Sequence, residues 1–394
     1  MLTEERKHRI LSLCKELVSI KSYSGEEGSV AQALKSYMLS NGYDDVLIDK
    51  YGNVIGKICG NRPGKKLLFD GHMDTVPVGN ENDWTHDPFK PEVVDGKLYG
   101  RGTTDMKGAV SAFTVAAVFF CEDMKKDFAG EIYIAGVVHE ECFEGVAARN
   151  ISDIVKPDYV VIGEASLLNL KIGQRGRAEI VVETFGKPAH SANPEKGVNA
   201  VYKMSEAIDA IRKITPKEHP VLGKGILELT DIKSSPYPGA SVVPEYCRAT
   251  YDRRLFIGET KEDVLAPIEK VLKELSEKDP QFKAKVSYAT GFERCYTGND
   301  IEGERFFPGW LYSEKESFVQ DILRELNLMG YEPEIAQYNF CTNGSHYAGE
   351  AGIPTVGMGP SAESLAHTVD EYVEISQLYG SAERYYGIMK ALLK

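Results

Sequence analysis

Apolar runs in this chain repeatedly stop on a histidine or a carboxylate. Leu67-Leu68-Phe69 leads into Asp70-Gly71-His72-Met73-Asp74, the run from Ile132 to Val138 into Glu140-Glu141, and Tyr159-Val160-Val161-Ile162 into Gly163-Glu164. In an open α/β sheet the carboxyl ends of the strands line the ligand crevice, so these groups are predicted to meet at one edge. Charge gathered in a folded interior is costly unless a cation neutralises it, which points such a chain towards a fold that assembles a metal site.

The periodicities set the architecture. Helices are predicted over 4–20 and 27–41, strands over 46–48, 54–58 and 66–69, a long apolar helix over 107–121, a strand over 132–138, a helix over 144–154 and a strand over 159–162. The same α/β rhythm resumes with a helix over 315–328, a strand over 354–358 and a last helix over 376–393. Between them the order is strand 177–185, helix 198–214, strands 226–233 and 246–256, helix 260–276 and strand 283–289, with Pro236-Tyr237-Pro238-Gly239 as a turn. That βαββαβ order suits a small antiparallel sheet covered on one face by two helices. The expected fold is therefore a mixed-sheet α/β/α catalytic domain, residues 1–174 and 291–394, with an inserted ferredoxin-like domain over 175–290.

Composition narrows the partners. With 46 Lys and Arg against 59 Asp and Glu, the net charge of −13 opposes binding to phosphate backbones or anionic lipid, so neither nucleic acid nor membrane is expected. The amphipathic start MLTEERKHRILSLCKELVSI lacks the unbroken apolar core of a signal peptide. Seven scattered cysteines without CxxC spacing indicate neither a disulfide framework nor a thiolate zinc site. A cytoplasmic protein with reduced thiols is expected.

His72 is placed at a strand end, and Asp74, two residues on, can orient its imidazole. Asp105 sits in the glycine-rich turn GRGTTDMKG before the long helix; N-capping is the ordinary use of such an Asp, and the segment lacks the spacing of a phosphate loop. Of Glu140 and Glu141, alternation lets one ligate metal while its neighbour faces water as a base. Glu164 ends a further strand, and His367 follows the 354–358 strand and its Gly-Pro turn, close before an acidic helix start. The set His72, Asp105, Glu141, Glu164 and His367 gives two imidazoles and three carboxylates. If Asp105 bridges, each of two cations receives one His, the shared carboxylate and one Glu. Nitrogen and oxygen donors suit Zn²⁺, with Co²⁺ or Mn²⁺ as substitutes, and two cations roughly 3.5 to 4 Å apart would activate water against an amide carbonyl.

The order HxD, a lone Asp in GRGTTDMKG, EE, GE and a late AH strongly resembles the di-zinc amidohydrolases of peptidase clan MH. These include acetylornithine deacetylase, succinyl-diaminopimelate desuccinylase, aminoacylase-1 and glutamate carboxypeptidase, and the resemblance spans essentially the whole chain. It implies that Glu140 is the general base, that Asp74 orients His72 and that the peptide bond after Asp105 is cis. GKPAHSANPEKGVNA resembles the family's lid segment, which implies that His190 reaches across a homodimer to stabilise the oxyanion. Arg254 in YDRRLFIGET and Arg175 in GQRGR match positions that bind substrate carboxylate, whereas surface ion pairing fits Arg253 better. Asn343 and Gly344 in CTNGSHYAG occupy the place of a substrate-contacting loop.

Two departures set this chain apart from the biosynthetic deacylases. Ala240 and Ser241 stand where desuccinylases show asparagines, and the TNGS loop lacks an arginine that could bind carboxylate. FDGHMDTVPVGNENDW and the TNGS loop look more like the selenium-metabolism-linked hydrolase subgroup. The expected activity is hydrolysis of the C–N amide bond of a small N-acyl amino acid or dipeptide by water that Glu140 deprotonates. A ureidohydrolase cleaving an N-carbamoyl amino acid is the alternative on the same residues. A metal-binding protein without catalysis is the alternative of another class, against which intact Glu140 and His190 argue.

Overall fold

The strand predicted around Lys66–Phe69 is the middle of a longer one, Arg62–His72, at the centre of a mixed sheet in the computed structural model, which describes residues 2–393. The sheet runs in the order Asp45–Ile48, Val54–Cys59, Ala129–Val137, Arg62–His72, Tyr159–Ile162, Thr355–Gly357 and Leu170–Gln174. The four strands from Ala129–Val137 to Thr355–Gly357 are mutually parallel, with His72 beside Val137 and Ile162 beside both Asp70 and Gly357. Their carboxyl ends therefore share one edge, from which Glu140, Glu164 and the segment bearing His367 follow. Both faces of these strands are apolar because helices cover both. On one side the helix Lys107–Met124, buried at fourteen of its eighteen positions, packs with the helix Ile375–Leu392. Phe69, Phe113 and Tyr385 meet there with ring centroids 5.5–5.9 Å apart.

Three features of this part were not expected. Tyr372–Glu374 pairs with Lys97–Tyr99 and that with Glu92–Val94 in a separate small sheet. Ser345–Glu350 forms a π-helical turn. The acidic run before the last helix is not its start: that helix begins at Ile375, and Asp370 instead accepts hydrogen bonds from the N–H groups of Thr85 and His86 at 2.8 and 3.1 Å.

Two compact units are present: residues up to Gln174, Phe292–Gly303 and from Leu311 onward make one, Arg175–Gly291 and Glu304–Trp310 the other. The second contains Gly176–Phe185, the helix Ala200–Ile211, Ile226–Ser235, Tyr246–Leu255, the helix Lys261–Lys278 and Lys283–Tyr288. Its strands lie side by side as second, third, first and fourth, all antiparallel, which is the ferredoxin-like order. Ala178, Ile180, Val182 and Thr184 are buried at alternate positions and face Met204, Ile211, Val264 and Ile268 from the two helices. A fifth short strand, Phe306–Phe307, comes from beyond the expected boundary and pairs with Arg177 and Ala178.

Candidate metal centre

The helix Lys107–Met124 approaches the central strand closely enough to deliver Asp105 to its end. A Cβ on Gly71 would lie 2.9 Å from both Met106 Cε and Val110 Cγ2, and one on Gly163 2.8 Å from Met106 Cε, so a side chain at either position would push against the packing beneath this helix start. The Asp105–Met106 peptide bond is cis, as the resemblance implies. Asp105 does not cap the helix; its carboxylate turns to two imidazoles instead.

The geometry is divided about that carboxylate. Asp105 Oδ1 lies 2.8 Å from His72 Nε2 and Oδ2 lies 3.1 Å from His367 Nε2. Glu164 stands 3.6 Å and Glu140 4.0 Å from His72 Nε2, while Glu141 is 3.0 Å from His367 Nε2. All five expected ligands and the expected base thus converge from five separate segments. His72 Nδ1 lies 2.8 Å from the Asp74 carbonyl oxygen, which can only accept, so this nitrogen carries the hydrogen and Nε2 is the ring atom that faces the carboxylates.

The electrostatics fit a cation-binding pocket. Glu140 and Glu164 are buried and held well above the usual carboxylate range, by desolvation first and by neighbouring carboxylates next. Burial, with Asp105 nearby, raises Glu141 to about 7. Asp105 is half-buried, yet hydrogen bonds to His367 and His72 hold it far below its usual range. His367 is pushed up to about 10 by Asp105 and Glu141. Among the described residues, the ion pairs of these three glutamates run only to the two imidazoles. Four carboxyl groups against two imidazoles give a donor set whose ionised form needs a cation, and oxygen and nitrogen donors without thiolate suit divalent cations of the Zn²⁺ class.

Asp74 acts differently from the expectation. The strand ends at His72, so the two side chains do not stay on one side of it: the Asp74 carboxylate is 3.6 Å from the His72 ring, which its main-chain carbonyl holds instead. Its oxygens accept from the N–H groups of Glu140 at 3.1 Å and Glu141 at 3.2 Å and from Ser24 Oγ at 2.7 Å. Glu140–Cys142 is a 3₁₀ turn, so the roles of the two glutamates are separated by this turn and not by strand alternation. The preceding N–H, of His139, goes to Glu27 Oε1 at 3.2 Å. Three successive N–H groups of the turn are thus held by two buried carboxylates. Glu27 and Ser24 were missed because the stretch 24–27 reads as the approach to a helix; Glu27 makes no cap hydrogen bond there.

Asn343 departs from the expected substrate contact. It is buried, its Oδ1 accepts from Gly145 N–H at 2.8 Å, and its Nδ2 donates to Asp70 Oδ1 at 2.9 Å. Gly344 N–H donates to Thr342 Oγ1 at 3.0 Å. Asn343 therefore fastens the TNGS segment to the core strand, and Gly344 closes a bond within the segment. His190, Arg175 and Arg254 lie in the second unit. His190 is exposed, with Nδ1 accepting from Ala192 N–H at 3.0 Å. Arg175 Nε donates to the Leu222 carbonyl at 2.6 Å, Arg254 pairs with Asp252 at 3.0 Å, and Arg253 pairs with Glu259 at 2.7 Å. Ala240 and Ser241 are exposed.

A mixed α/β fold with histidine and carboxylate donors gathered at the ends of its parallel strands defines a metal-dependent hydrolase. The chain belongs to peptidase family M20/M25/M40, whose profile matches residues 68–391. It is 31% identical over 379 residues to the uncharacterized protein YgeY of Escherichia coli (strain K12), covering 95% of this chain and 92% of that one. Succinyl-diaminopimelate desuccinylase 2 of Ruegeria sp. (strain TM1040) is 29% identical over 383 residues, covering 93% and 91%. The fold is that of Bacillus subtilis YXEP, a dinuclear metal binding peptidase from the M20 family, with a TM-score of 0.72 at 12% identity over 98% of each chain. Among the described residues no helix is long and apolar enough to cross a membrane.

Proposed function

We propose that the chain is a two-cation amidohydrolase that cleaves the C–N amide bond of a small N-acyl amino acid or dipeptide. The observation that carries this reading is the Asp105 carboxylate, with one oxygen facing each imidazole and one glutamate beside each pair. His72, Asp105 and Glu164 would hold one cation, and His367, Asp105 and Glu141 the other. Divalent cations of the zinc class, when bound there, polarise the amide carbonyl and acidify water. Glu140 lies 4.0 Å from His72 Nε2; as the carboxylate, the form that cations bound beside it would favour, it would take a proton from the attacking water and deliver it to the departing amine. Asp74 and Glu27 fix the turn that aims Glu140. His190 is proposed to donate a hydrogen bond to the developing oxyanion, and Arg175 and Arg254 to meet a substrate carboxylate.

A cytoplasmic homodimer through the second unit completes the reading. Its support is the edge strand Ile226–Ser235: ten residues long, paired on one side only among the described residues, with Ile226 and Ile232 exposed. Such an edge is a template for a second strand.

The test is elemental analysis combined with hydrolysis of a panel of N-acetyl, N-succinyl, N-carbamoyl and dipeptide substrates, with and without chelator. About two zinc ions per chain with chelator-sensitive cleavage of one class supports the proposal. Cleavage of carbamoyl substrates alone would transfer it to ureido hydrolysis, and no turnover of any class by the zinc-loaded protein would sink the catalytic claim.

A further inference from the structure

Glu371, four residues beyond His367, is fully buried, and its carboxylate points back to the loop that carries Asp105. Oε1 accepts the N–H groups of Gly102 at 3.0 Å, Thr104 at 2.8 Å and Asp105 at 3.1 Å. Oε2 accepts Arg101 Nη1 at 2.6 Å, and the Arg101 guanidinium lies over the Trp84 ring 5.1 Å from its centroid. Two ties flank this cluster: Gly100 N–H donates to the Glu371 carbonyl at 2.9 Å, and Thr104 Oγ1 to the Tyr372 carbonyl at 2.6 Å. The loop ending at Asp105 is thereby hung on the segment that supplies His367.

We propose that Glu371 is a positioning residue of the metal centre, setting the placement of the shared ligand Asp105 relative to His367 and so the affinity for both cations. It acts through the Asp105 main chain. Three convergent N–H groups and a guanidinium need a full negative charge at this point, since a neutral amide could accept the N–H groups but would turn an N–H₂ towards Arg101 or lose the loop. This inference rests on the two-cation reading above.

The experiment is zinc competition against a chromophoric chelator, using the full chain, for the wild type, Glu371→Gln and Glu350→Gln. The last variant removes a carboxylate that bridges His346 and Arg149 in the same unit and serves as a destabilised control. Glu371→Gln is expected to bind zinc 10- to 100-fold more weakly, the range seen when a residue supporting a ligand is lost, with Glu350→Gln within about twofold of wild type. Cobalt-substituted Glu371→Gln is expected to show an altered visible spectrum, which a general loss of stability would not produce. Equal affinity and an unchanged cobalt spectrum for Glu371→Gln would overturn the proposal, as would an equal loss in Glu350→Gln. If the glutamine variant does not fold, Glu371→Asp carries the test: it keeps the charge but cannot reach both partners, and wild-type affinity in it would overturn the proposal. A wild type that takes up no zinc would defeat the metal-centre reading itself, a different outcome from two zinc ions held equally well by both proteins.

Discussion

Among single residues, Glu140 has the most exposed assignment. Glu140→Gln keeps the shape of the turn and its hydrogen bonds to Asp74, so zinc content is expected to stay at the wild-type level while kcat falls by roughly 10²–10⁴, the usual worth of a general base. A kcat within tenfold of wild type would remove Glu140 from that role. Glu350 offers a test away from the centre. Burial alone would raise its carboxyl, but hydrogen bonds from His346 and Arg149 hold it at about 2 against an ordinary 4.5. A depressed carboxyl stabilises the fold fully above its unfolded value and loses that contribution as pH falls through the folded one. Glu350→Gln is therefore expected to cost on the order of 1–3 kcal/mol near pH 7, discounted for partial exposure, with the difference from wild type closing between about pH 4.5 and pH 2. Thermal melts across that range check it, and a pH-independent difference would refute the charge argument. Among the candidate ligands, His72, Glu141 and Glu164 were legible because each follows an apolar run, and Asp105 and His367 through the glycine-rich turn and the late Ala-His of the resemblance. Asp74, Glu27 and Asn343 were not legible in the same way, because their work is done on main-chain N–H groups and a buried carboxylate from distant segments, and no spacing in the chain encodes those partners.

Elements with a long periodic pattern were readable, and those defined by contact alone were not. The helix Lys107–Met124, the strand Ala129–Val137 and the βαββαβ order of the second unit follow from apolar spacing. The three-residue strands Glu92–Val94, Lys97–Tyr99 and Tyr372–Glu374 are too short to carry a period, and the π-helical turn Ser345–Glu350 is fastened by Tyr347 and Asn343 to Asp70 rather than by its own pattern. The strand-to-helix approach at Gly71 gives the prediction at this scale. Gly71→Ala forces a methyl against Met106, Val110 and Phe113, and overpacking of this kind costs about 1–3 kcal/mol. Since Met106 follows Asp105, both melting temperature and zinc affinity are expected to fall together. A variant with lowered melting temperature and intact zinc affinity would show that the helix start yields without moving its ligand.

For the molecule as a whole, the open edge of the second unit and the charge of the first make separate predictions. Ile232→Lys places a charge on the exposed edge strand and is expected to convert a dimer to a monomer in light scattering, without loss of fold. A wild type that is monomeric and fully active would defeat the assembly. If the centre carboxylates hold zinc as proposed, the melting temperature is expected to rise with added zinc, by the equivalent of about 2.7 kcal/mol at a hundred times the dissociation constant. No shift in the wild type would count against a cation at this edge. The divided carboxylate of Asp105 has a last consequence. Because one side chain would serve both proposed positions, Asp105→Ala is expected to weaken both cation sites together, whereas loss of Glu164 or Glu141 would weaken one of them.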